Sequence, residues 1–144
     1  MSNTEISPAG RVDILVLHEH RLAVLRLFGD VNLPQFLEAI RVEHAKSPES
    51  ASYHLVNDLR AHTGNLGVEG IKAGTAQRQA AWPHPTPARE VILTRDPGMV
   101  FIARYLDLLA PHVQHSISAD PVEALSRAVG GEAPPEALAF VGGP

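Results

Sequence analysis

After a single pair of adjacent β-rich runs, each later apolar run in this chain is separated from the next by a stretch with helical periodicity. No other feature restricts the fold as much. Residues 12–17 (VDILVL) and 22–28 (LAVLRLF) flank the polar tetrad His18, Glu19, His20 and Arg21, the pattern of a hairpin. Beyond Gly29 and Asp30 the apolar period lengthens to about 3.6 residues, with Leu33, Phe36, Leu37 and Ile40 on one face. Asn32, with Gln35 three positions on, satisfies the first free amides, so a helix is predicted over 33–45. A short strand over 53–58 follows, then a weaker helix over 68–81 whose propensity Gly70 and Gly74 reduce. The alternate prolines of 82–88 (WPHPTPA) demand an extended connection. A strand over 89–94 leads to a helix opened by Asp96 and Pro97 and ending near Leu109. A strand over 113–118 then leads to a helix opened by Asp120 and Pro121 and ended by Gly130 and Gly131. The order β-β-α-β-α-β-α-β-α predicts an α/β domain with a mixed five-stranded sheet, parallel after the hairpin and joined by right-handed crossovers.

With 144 residues there is room for one domain, placed at 11–130 between a flexible N-terminus (1–10) and a flexible C-terminal tail (131–144) rich in proline and glycine. A net charge of −4 leaves no surplus for gripping a nucleic-acid backbone. The absence of cysteine excludes a disulfide framework, a thiol nucleophile and a Cys-ligated metal. The first residues have no basic or apolar signal segment, and no later run approaches the ~18 apolar residues of a membrane span, so the expectation is a cytoplasmic protein without stable membrane insertion.

Phe28-Gly29-Asp30 entering the first helix, Leu55-Val56-Asn57-Asp58-Leu59-Arg60 closing the third strand, Val91-Ile92-Leu93 in the fourth and the closing Asp120-Pro121-Val122-Glu123-Ala124-Leu125 together resemble the SpoIIAA-like family of the STAS superfold. That architecture is shared with CRAL-TRIO lipid-binding domains, and the resemblance spans about residues 11–130. It implies a non-catalytic binding or regulatory domain acting through protein–protein contact, with a lipophilic ligand as the alternative. STAS members are switched by a serine near the start of the helix after the third strand. Here the only hydroxyl in that segment (60–70) is Thr63, the one candidate phosphosite, with no Asp-Ser-Ser around it.

Four groups of side chains carry the functional expectations. On the predicted helix over 99–109, Met99, Ile102, Ala103, Leu106 and Leu109 form a stripe for the sheet, and Phe101, Tyr105 and Leu108 form a second beside it. Each large side chain of that second stripe left in water would forfeit ~1.5–3 kcal/mol. It therefore needs cover from the chain's own proline-rich loop or tail, from a homodimer mate, or from a lipophilic ligand or membrane surface. If a ligand covers it, the helix is the element that moves to admit it. Trp82 belongs to the same contact region or anchors the loop. At the carboxyl ends of the strands, Asp30, Asp58, Arg60, Arg95, Asp96 and Asp120 are expected in one neighbourhood, as a polar crevice or as helix caps and local ion pairs. An enzyme using Asp58, Arg60 and Asp96 is the least favoured reading, because no Gly-x-Ser-x-Gly elbow or phosphate loop accompanies them. The eight histidines, among them His18, His20, His112 and His115, lack a His-Glu-x-x-His spacing. They are expected at the surface, where they would make association sensitive to pH, and no catalytic, cofactor or metal set is predicted.

Overall fold

The computed structural model describes residues 9–142. Strands β1 (Arg11–Leu17), β2 (Leu22–Gly29), β3 (His54–His62), β4 (Ala88–Leu93) and β5 (Val113–Ser118) form one sheet in the order β1-β2-β3-β4-β5, antiparallel at β1–β2 and parallel thereafter. Helices α1 (Leu33–Lys46), α2 (Gly67–Ala81) and α3 (Val100–Leu109) make the three crossovers, and α4 (Pro121–Val129) and α5 (Pro135–Val141) follow β5. The predicted α/β class and mixed sheet are therefore present. The caps are those read from the sequence. Asn32 Oδ1 accepts from the Gln35 amide, Asp96 Oδ1 from Gly98, and Asp120 Oδ1 from Val122.

Because the strands are stacked in chain order, every right-handed crossover must lie on the same face of the sheet. That geometry produces two unequal layers. On one face, Val24, Val56, Val91 and Leu93 pack with Ala124, Leu125 and Ala128 of α4 and with Ala137 and Val141 of α5 in a continuous core. On the other, Leu25, Leu27, Val31 and Ile40 form a smaller cluster beneath α1. Helix α2 rests against α1, the Pro48–Ser52 turn and α3. Its glycines have a packing reason, since a Cβ at Gly74 would stand 3.1 Å from the Phe36 ring of α1.

Two expectations about the ends change. Residues 1–8 of the expected flexible N-terminus lie outside the described residues, whereas Ala9 bridges Asp30 beside β2. The expected flexible C-terminal tail instead carries α5, with Ala133, Ala137 and Val141 buried four residues apart. Proline at the first helical turn starts that helix rather than loosening the chain.

Candidate functional site

The uncovered part of the α1–α3 face is a cavity of about 370 Å³ between the sheet and the three crossover helices. Side chains alternate across a strand, so Leu25 of β2, Leu55, Asn57 and Leu59 of β3, and Ile92 of β4 all point to this side, opposite the α4/α5 core. Phe36 and Ile40 close it from α1, Ile71 and Thr75 from α2, and Met99, Ile102 and Leu106 from the α3 side. Leu55, Asn57 and Leu59 remain only half-buried although β3 is the central strand, because they open into this space. Its outer rim includes Val68, which is 51% exposed.

The lining is mainly apolar, with a polar floor toward the amino ends of β3 and β4. There Asn57 Nδ2 donates to Glu90 Oε2 at 2.8 Å, and Arg78 Nη1 donates to Glu90 Oε1 at 3.2 Å. Arg78 also donates to the carbonyls of Ala51 and Tyr53. Glu90 lies beside His115 in the β4–β5 register, with His115 Nε2 3.7 Å from Glu90 Oε1. The other ring nitrogen of His115 sits 2.8 Å from Asp107 Oδ1 of α3. Burial, opposed by hydrogen bonds from the His115 side chain and backbone and by the charges of Arg104 and His115, leaves the Asp107 carboxyl below its ordinary value. His44 also lines the cavity, and burial together with the nearby Arg78 charge pushes its imidazole down, toward the neutral form.

The expected strand-end crevice does not form. A crevice at strand ends needs a reversal of strand order, and this sheet has none. Asp58 is 2% exposed on the opposite face. Its Oδ1 accepts from the Arg60 backbone and Nε, and its Oδ2 from Arg26 Nε and Arg60 Nη2. Arg26 and Arg60 are themselves clamped to the Phe140 and Val141 carbonyls of α5 at 3.0 Å. Asp96 and Asp120 are caps, and Arg95 is exposed. Thr63 is exposed in the loop between β3 and α2, with its amide bound to the Gly29 carbonyl.

Of the second α3 stripe, Phe101 is 76% and Leu108 79% exposed, while Tyr105 is half-buried. Cover by the chain's own end is ruled out within 9–142, since α5 occupies the other face of the sheet. Trp82 is half-buried and holds its own loop, donating from Nε1 to Thr86 Oγ1 at 3.1 Å and meeting His84 edge to face. The histidines divide. His18 pairs with the Tyr53 hydroxyl, and His115, expected at the surface, is buried with one ring nitrogen bound to Asp107 and the other 3.7 Å from Glu90. The sequence reading expected an apolar groove beneath the 99–109 helix only in its lipophilic-ligand alternative, and it missed the polar floor. Asn57 and Glu90 stood as polar letters inside apolar strands, and the small residues of α2 were read only as poor helix formers.

No family model matches the chain. No curated protein matches it either. Among solved structures it is similar to an uncharacterized protein of the DUF3478 family with a SpoIIAA-like fold from Shewanella loihica PV-4. That match has a TM-score of 0.59 at 10% identity and covers 89% of this chain and 99% of that one. At that identity the likeness is one of fold, and the fold of this chain is SpoIIAA-like. Among the described residues no helix is long and apolar enough to cross a membrane.

Proposed function

We propose that the chain is a binding domain for a small, mainly apolar molecule held between the sheet and helices α1–α3. The observation carrying this reading is the 370 Å³ cavity into which the inner leucines of the central strands open. A volume of that size falls within the range of ligand sites. At roughly 30 Å³ of liquid volume for each non-hydrogen atom it corresponds to about a dozen such atoms. Helix α3 supplies wall residues from the edge of the sheet, so its displacement is the proposed route of entry.

Fluorescence anisotropy of 2-methoxynaphthalene tests the proposal. One saturable site per chain is expected. The double variant Ile71→Phe, Thr75→Leu should weaken binding at least about tenfold while keeping or raising stability by about 1 kcal/mol, because the added atoms gain packing contacts. Absence of saturable binding by the unaltered protein would remove the proposal.

A second reading is favoured by the exposure of Phe101 and Leu108, which with Tyr105 make an apolar strip on the outer side of α3. In this reading the strip is the contact face of a homodimer or of another protein partner. Light scattering should then report twice the chain mass, and Phe101→Asp should return the protein to a single chain. A single-chain mass for the unaltered protein counts against the homodimer.

A further inference from the structure

In the lining of the proposed cavity, His44 Nδ1 and Asn57 Oδ1 have no protein hydrogen-bond partner among the described residues, and the orientation of the second is fixed. The Asn57 side chain stands in the middle of the central strand, flanked on the same face by Leu55 and Leu59. Its neighbour Glu90 can only accept hydrogen bonds when ionised, so the contact at 2.8 Å must come from the amide nitrogen. This fixes which way the carboxamide faces, and Oδ1 is left as an acceptor with no hydrogen-bond donor among the described residues. Glu90 is itself immobilised by Arg78 and stands next to His115, so the amide is held from behind.

The charges around this acceptor decide what it can read. Both Glu90 oxygens are engaged, by Arg78 and by Asn57. Arg78 is spent on Glu90 and on two peptide carbonyls, and Glu43 adds a further carboxylate to the lining. A carboxylate head would therefore meet like charge and offer no donor to Asn57. An ammonium head would lose its hydration among leucines, and of the two lining carboxylates Glu90 is taken by Arg78 and Asn57 while Glu43 lies 4.0 Å from Lys46. An uncharged hydroxyl or amide N–H suffers neither penalty.

Resting on the binding reading above, we infer that the ligand is an uncharged amphiphile of about a dozen non-hydrogen atoms whose polar end donates a hydrogen bond to Asn57 Oδ1. Asn57 is then a specificity-determining residue, and the apolar walls supply affinity without discrimination.

The test is displacement of 2-methoxynaphthalene from the full chain by 1-decanol, 1-methoxynonane, decanoate and decylamine. The alcohol should bind about tenfold more tightly than the ether, the carboxylate or the amine. Asn57→Leu should bring the alcohol and the ether to equal affinity while the naphthalene probe still binds. Equal affinity of alcohol and ether in the unaltered protein, or tighter binding of decanoate or decylamine, overturns the inference while leaving the cavity reading intact. Failure of all four to displace a bound probe also overturns it. If the probe itself finds no site, the binding proposal fails and this inference goes with it. A variant that keeps the alcohol preference, or loses affinity for every compound alike, shows that Asn57 only buttresses Glu90 and overturns its assigned role.

Discussion

Replacing Asp58 with alanine is expected to cost about 3–5 kcal/mol of stability and lower the melting temperature by on the order of 10 °C. The carboxylate is buried, and each of its oxygens accepts from arginine side chains at 3.0 Å. Removing it takes the buried carboxylate away from Arg26 and Arg60, and the Arg60 side chain is only 9% exposed. Breaking a buried ion pair by removing one member is far more costly than losing a surface pair. The pair also sets an acid limit. Burial alone would raise the Asp58 carboxyl, but the Arg60 side-chain and backbone hydrogen bonds and the charges of Arg60 and Arg26 outweigh it. They hold the carboxyl below its ordinary value of 3.8. A depressed carboxylate contributes stability that is fully present above the ordinary value and is lost as pH falls through the folded one. Urea unfolding at pH 7 and near pH 3 should show the native protein weakened in acid and the alanine variant much less pH-dependent. An Asp58→Ala protein as stable as the native one at pH 7 would contradict the role given to this cluster.

Ending the chain at Pro134 is expected to be of similar size, about 3–5 kcal/mol. Helix α5 buries Ala137 and Val141, the latter 2% exposed, against the face of the sheet opposite the cavity. Burial of one such valine accounts for ~1.5–3 kcal/mol. The same helix provides the Phe140 and Val141 carbonyls that accept from Arg26 and Arg60, and a net contribution of ~0.5–1.5 kcal/mol attaches to each bond. The truncated chain should also expose Leu15, Val24 and Val56, so dye binding to apolar surface should rise as the midpoint falls. An unchanged midpoint would mean that α5 is an accessory. Because the two perturbations share the Arg26–Asp58–Arg60 cluster, their combined effect should be smaller than the sum of the separate ones.

The strand–helix alternation and the caps were legible because they depend on near neighbours. Asn32, Asp96 and Asp120 each bind an amide two or three residues on, so their roles appear in the linear text. Gly130 ends α4 with φ of 72°, the left-handed turn that glycine makes at least cost. Helix α5 was obscured by Pro134 and Pro135, which resemble a disordered tail until Ala133, Ala137 and Val141 are seen to share one face. The site was harder still. A cavity is a property of what does not touch. Nothing in the run Leu55-Val56-Asn57-Asp58-Leu59 says that one set of alternate residues meets a full layer and the other a partial one. That distinction comes from strand order, which puts all three crossovers on one side. Asp58 and Asn57 are neighbours in sequence, yet they serve opposite faces, one as a structural ion pair and the other as the floor of the cavity.

Methyl and side-chain amide NMR of the protein titrated with 2-methoxynaphthalene tests the central claim most directly. Binding in the cavity predicts saturable shifts at Leu25, Leu55, Asn57, Leu59, Ile71 and Ile92, with Val24, Val56 and Val91 on the opposite face unmoved. No saturable shift, or shifts confined to Phe101 and Leu108 on the outer side of α3, would contradict it.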